Sequence, residues 1–364
     1  MIYSTQINTE DGTMIHFDKE RMKRVEEAHL AFWEGTLGRP LLNLELTDAY
    51  QVEHKARAPY LAQPNCHQFE YSPEEVIEAV DEELSRHEFL ADGYPRLNFA
   101  AFGPGVLAAF CGAKLEHDRG QVWFFPEKEL PLSEIHVKYD PDNMWVRRIK
   151  DIYKAGLERW EGLVKMGMPD LGGVMDVAAT FRGSENLLLD LYDDPEEVKR
   201  LIGEIEIAWY EAYNDFSNVL EPQGGHTDWS GLWSPTPSYI TQCDFCYMIS
   251  PDMYREFVHD TLVRDTGKLT NVIYHLDGIG ELPHLSQILS IPGLNAIQWV
   301  PGAGQKEAIE WAEVHKTILD AGKRLYLTGD VLPALPEFHN NTYVNVALPR
   351  SQKDYLDGLM KYYK

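Results

Sequence analysis

Between residues 250 and 330 of this 364-residue chain, short apolar runs alternate with amphipathic stretches. Ser250-Pro251-Asp252 is a helix start, a capping residue followed by proline, and the helix runs through Tyr254, Phe257 and Leu262 to about Gly267. The run Asn271-Val272-Ile273-Tyr274 follows, then a short helix around Leu282 to Leu289, then the strand 295–300, ended by Pro301-Gly302. A helix from about Lys306 carries Ile309, Ala312, Ile318 and Leu319 on one stripe, and a strand ending at Asp330 closes the series. Strands joined by helical crossovers pair in parallel and are buried on both faces, which means α/β layering.

The strand ends carry the chemistry. Successive side chains of a strand alternate between faces, so His275 and Asp277 in His275-Leu276-Asp277-Gly278 point the same way. His226-Thr227-Asp228 repeats that spacing, and Tyr326, Thr328 and Asp330 alternate through a third run. Polar groups at the carboxyl ends of parallel strands are where α/β barrels keep their active sites. His226, Asp228, His275 and Asp277 are therefore the expected catalytic residues. His275 and Asp277 also form a candidate metal pair, with Asp330 or Cys243 as a third ligand, since a catalytic zinc needs three protein ligands and an open position. The alternative is a satisfied polar pair. Trp229, Trp233, Tyr247, Tyr274 and Trp299 are candidate substrate-binding rings, though about half of such rings are core. With Tyr239 and the acids Asp228, Asp244, Asp277 and Asp330, and few basic residues nearby in sequence, they suit an uncharged or cationic small molecule.

Upstream, Ser72-Pro73-Glu74-Glu75 and Asp194-Pro195-Glu196-Glu197 read as capping boxes opening helices. An amphipathic helix spans roughly Lys19 to Glu34, and further strands are expected over 41–46, 96–101 and 172–178. About eight strands, each followed by a helix, predict a closed (β/α)8 TIM-type barrel, one domain over 1–364 with a helical extension over 1–38.

Composition removes several function classes. There are 58 acids against 33 lysines and arginines, a formal charge of −25 that repels nucleic acid and anionic membranes. No apolar run is long enough to span a bilayer, and Met1-Ile2-Tyr3-Ser4-Thr5 has no signal-peptide character. Four cysteines make no disulfide framework, so a reducing cytoplasm is expected. Cys243-Asp244-Phe245-Cys246 is one C-x-x-C pair, too few for a complete zinc site. There is no phosphate loop, no dinucleotide fingerprint, no H-E-x-x-H and no nucleophile elbow.

Gly183-Ser184-Glu185-Asn186 through Asp193-Asp194-Pro195-Glu196-Glu197-Val198, Ile249-Ser250-Pro251-Asp252-Met253-Tyr254 with Phe257, and the turn at His275 to Gly278 together resemble the uroporphyrinogen decarboxylase superfamily over about 170–335. The resemblance implies a TIM-type barrel and one of two activities. One branch decarboxylates a polyacidic tetrapyrrole without a cofactor and opens with an arginine motif after the first strand. Here Arg39 precedes the strand while Glu45 and Asp48 follow it, a poor setting for many carboxylates. The other branch transfers methyl groups between small methylated compounds, corrinoid proteins and a thiol, using zinc bound by His-x-Cys and a later cysteine. This chain has His275-x-Asp277, an oxygen donor where that branch has sulfur. The resemblance thus implies a methyltransferase demethylating a small compound, with zinc, and a corrinoid carried on a separate protein because no D-x-H-x-x-G module is present. The alternatives are a cofactor-independent decarboxylase or lyase and a non-catalytic binding barrel. A homodimer is the default assembly.

Overall fold

The computed structural model describes residues 15–363, so the segment 1–5 and the rest of the expected extension as far as residue 14 lie outside the described residues. The strands are β1 (Leu41–Thr47), β2 (Glu88–Ala91), β3 (Arg96–Leu97), β4 (Lys114–Asp118), β5 (Gln121–Phe125), β6 (Lys165–Met166), β7 (Ser238–Gln242), β8 (Asn271–Asp277), β9 (Leu294–Val300), β10 (Arg324–Leu327) and β11 (Thr342–Pro349). Seven form one sheet in the order β2-β1-β11-β10-β9-β8-β7, parallel throughout except where β2 joins β1. β3 pairs with β6 in parallel, and β4 with β5 makes a separate antiparallel hairpin. The molecule is a mixed α/β protein built on a parallel central sheet.

Alternation along the strands gives the sheet two unlike faces. Leu42, Leu44, Leu46, Tyr274, Leu276, Ile297, Trp299 and Leu327 join the large core under the helices. Leu41, Ile240, Ile273, Ala296, Tyr326 and Tyr343 pack on the other face with Phe32, Trp33 and Leu232. That inner face curves around the segment 228–232. The Ser230 carbonyl accepts from Tyr326 Oη at 3.2 Å, Tyr343 Oη at 3.0 Å and Asn345 Nδ2 at 2.9 Å. The Gly231 carbonyl accepts from Asn43 Nδ2 and Tyr94 Oη, while Ile240 N–H donates to Asp228 at 2.8 Å. One short segment is thus held by β1, β7, β10 and β11 together.

The helix Lys19–Glu34, capped by Asp18 and ended by left-handed Gly35, closes the amino-terminal end of the strands. Trp33 Nε1 donates to the Trp233 carbonyl at 3.0 Å, and Trp233 N–H donates to His29 Nδ1 at 3.0 Å. His29 Nε2 lies 3.3 Å from the Asp92 carbonyl, so its ring is neutral with the proton on Nε2. Burial takes its pKa from 6.5 down to about 4. The unfolded chain therefore binds a proton that the fold refuses, and stability falls as pH drops from 6.5 towards 4, by about 3 kcal/mol in full. Denaturant midpoints at pH 7 and pH 5 should separate less in His29→Gln than in the wild type; equal separation would refute this role.

Several sequence expectations are corrected. The strand expected over 96–101 stops at Leu97 and becomes a 3-10 turn over Phe99–Phe102. Residues 172–178 are no strand: Gly172-Gly173 precedes the helix Val174–Arg182, and the strand lies earlier at β6. A continuous apolar run rich in alanine suits either state, and here helix wins. Residues 226–228 form no strand either, only an isolated antiparallel bridge between His226 and Ser234. Ser72 and Glu75 do form the capping box, but Asp194 does not cap its helix. Asp194 also ends the helix Ser184–Asp193, which sets its backbone, and Glu197 binds Arg200 at 2.6 Å instead. Arg39 makes a bidentate pair with Asp92 at 2.6 and 2.7 Å, and Asp92 in turn accepts Leu42 N–H. No helix among the described residues is long and apolar enough to cross a membrane.

Candidate metal centre

His275 and Asp277 stand on the inner face at the carboxyl end of β8, as the alternation requires. Gly278, at φ +91°, turns the chain and donates its N–H to the Val300 carbonyl at 2.7 Å. The third member of the group comes from the 3-10 turn Asp244–Met248 that follows β7. Ligand atoms of Asp244, His275 and Asp277 lie within 4.8 Å of one another.

Each of the three is held by a neighbour. His275 Nδ1 lies 2.5 Å from Gln298 Oε1 on β9; with that amide oxygen accepting, the proton sits on Nδ1 and the Nε2 lone pair is free. Gln298 is level with His275 in the sheet register. Asp277 N–H donates to Glu281 Oε1 at 3.2 Å, and Tyr274 Oη donates to the other Glu281 oxygen at 2.8 Å. The Asp244 turn is anchored by Asp176 on the helix Val174–Arg182, which accepts Phe245 N–H at 2.8 Å and Asp244 N–H at 3.2 Å.

Burial pushes the Asp244 pKa up, and the Asp277 charge adds to it while His275 opposes. Asp176 is pushed up to about 7 by burial and then by the Asp244 charge. Two acids this close, with a third behind them, are a field that a divalent cation relieves. One imidazole and two carboxylates, with an outer layer orienting them, are a donor set that could hold a divalent cation such as zinc. Cavities flank the group: about 620 Å3 on the Asp244 side, reaching Trp123 and Phe125, and about 460 Å3 on the Asp277 side, reaching Trp299 and Thr328.

The other expected site residues fall elsewhere. Asp330 is exposed, three residues beyond β10, outside the group. Cys243 is buried beside Cys246, and burial raises its thiol well above the usual range. Asp228 is a buried structural acceptor, taking Ser230 N–H and Ile240 N–H, both at 2.8 Å. His226 is half-buried on the loop leading into that turn, its backbone paired with Ser234. Trp229 meets His275 edge to face, with ring centroids 5.1 Å apart. Trp233 is buried at the opposite end of the strands, donating to the Gly224 carbonyl. Tyr274 and Trp299 face outward, as their odd spacing from His275 and Gln298 demands. Tyr239 also points outward, to the Pro169 carbonyl at 3.0 Å. Tyr247 is 54 % exposed and lies over Gly280, where a Cβ would come within 2.3 Å of its ring.

Sequence spacing does not single out Asp244, Gln298 or Asp176 as partners of His275 and Asp277. Nor does it single out Arg96, an inner-face cation where few basic residues were expected. Its guanidinium donates to Asn43 Oδ1 at 3.2 Å and Asn345 Oδ1 at 3.0 Å.

A methyltransferase from Methanosarcina mazei has a similar structure, with a TM-score of 0.62 and 15 % identity, over 93 % of this chain and 99 % of that one. No family model matches the chain, and no curated protein sequence matches it. At that identity the likeness establishes a shared fold.

Proposed function

We propose that the chain is a metal-dependent methyltransferase that removes a methyl group from a small methylated compound and passes it to a corrinoid on a separate protein. We also read the fold as a closed (β/α)8 barrel, with β3 and β6 filling the gap between β1 and β7. The likeness to a methyltransferase over nearly both full chains supports each reading. The observation that carries the function is the convergence of Asp244, His275 and Asp277 from two strand ends.

Zinc is the ion this donor set suits, and when bound it would act as a Lewis acid on the methyl-bearing heteroatom. The chain's own residues do the positioning. Gln298 fixes the His275 tautomer so that Nε2 faces the mouth, and Asp176 and Glu281 hold the backbones of Asp244 and Asp277. The Trp229 ring against His275 limits the ring's rotation and excludes water from one side. Replacement of sulfur by oxygen donors leaves the centre a better acceptor for an ether, amine or thioether lone pair than an activator of a thiol.

Zinc-loaded protein incubated with methyl donors and cob(I)alamin should form methylcob(III)alamin, read by absorbance, and chelation should abolish it. Release of carbon dioxide from a donor acid that persists under chelation would replace this reading with a metal-free decarboxylase.

A further inference from the structure

Arg96 sits on the inner face held by two neutral amide oxygens, those of Asn43 and Asn345. Its side chain keeps 18 % of its accessible surface. The nearest carboxylate, Glu45, is 3.9 Å away and is already engaged. Glu45 makes a short contact with His87 Nδ1, whose other nitrogen lies 3.3 Å from Glu83. Burial opposes a charge on His87, but the Glu45 and Glu83 contacts outweigh it and raise the His87 pKa, while the His87 contact and the Arg96 charge together hold the Glu45 pKa down against burial. Glu83 is 39 % exposed and screened by water. Arg96 therefore shares Glu45 with His87, and Glu83 lies on the far side of that imidazole.

Space is kept for this cation. Gly231, at φ +70°, passes so close that a Cβ there would stand 2.9 Å from Arg96 Nε. The carbonyl of the preceding residue, Ser230, accepts from Asn345, the residue that orients Arg96. The next residue back, Trp229, meets His275 and has a buried indole N–H without a partner. A buried donor without an acceptor costs about 1–3 kcal/mol, which a bound acceptor relieves. One continuous turn thus links the guanidinium, an unused donor and the metal centre.

We propose that Arg96 is the anion-binding subsite of the substrate pocket, and that the substrate is a small methylated monocarboxylic acid. Resting on the methyltransferase reading, this places the carboxylate on the guanidinium and the methyl-bearing heteroatom at the Asp244, His275 and Asp277 end. One guanidinium takes one carboxylate. The planar guanidinium suits a planar carboxylate through two parallel hydrogen bonds.

Binding is measured by calorimetry on the full zinc-loaded chain with methoxyacetate and with 2-methoxyethanol, which differ only in the carboxylate. The wild type should prefer methoxyacetate by about tenfold or more, the factor a charged hydrogen-bond pair supplies. Arg96→Met should lose that preference while retaining zinc at the wild-type level; Arg96→Lys, which keeps the charge without the fork, should keep part of it. Equal affinity of the wild type for the two probes, or no binding of methoxyacetate, overturns the proposal, as does a preference that survives in Arg96→Met. Failure of the wild type to hold zinc is a separate outcome that overturns the methyltransferase reading instead.

Discussion

His275→Ala should lower zinc affinity by more than ~100-fold, beyond the 10–100-fold that loss of an outer partner costs, and abolish methyl transfer with it. The imidazole is the one nitrogen donor in the group, so its removal leaves two carboxylates that repel each other and cannot complete a three-ligand site. Gln298→Ala removes only the acceptor that holds the His275 proton on Nδ1. It should weaken zinc binding by about 10–100-fold, and Gln298→Glu should restore much of the loss, because a carboxylate also accepts from Nδ1. Competition against a chromophoric chelator measures both. Wild-type affinity in His275→Ala would remove this histidine from the centre.

Asp228→Ala should destabilise the fold by about 2–6 kcal/mol, two buried N–H groups at 1–3 kcal/mol each. Its carboxylate accepts from Ser230 and Ile240 and so shapes the turn that β1, β7, β10 and β11 grip. That is a large part of the 5–15 kcal/mol that a typical domain has in total. Asp228→Asn keeps one acceptor oxygen and should lose less. The contrast separates scaffold from chemistry: chemical denaturation should show the loss, and zinc affinity of the folded fraction should stay near that of the wild type. A fully stable Asp228→Ala protein with weakened zinc binding would return Asp228 to the catalytic group.

The legible part of the fold is the part with strong period. The strands at 271–277 and 294–300, the helix Lys19–Glu34 and the Ser72 capping box were readable because alternation, amphipathic spacing and a local cap each leave a direct mark. β6 was not, since a two-residue strand carries no period, and of the strand expected over 96–101 only Arg96–Leu97 forms, as β3. The alternation that sets His275 and Asp277 on one face of the sheet also turns Tyr274 and Trp299 to the other. The His226-Thr227-Asp228 repeat lies in a loop, where the same spacing does not fix a shared face. Asp244 was visible as an acid after a buried strand, but its approach to His275 depends on the turn that Asp176 holds. Arg96 reaches the inner face through tertiary pairing with Asn43 and Asn345, one of them 249 residues away. Nothing local announces it.

Zinc-edge anomalous scattering from crystals of the full chain tests the centre most directly. The account predicts one strong peak bounded by Asp244, His275 and Asp277, with Cys243, Asp228 and Asp330 outside its coordination sphere. A peak on Cys243 and Cys246, or zinc-soaked crystals with no density between the three side chains, would contradict it.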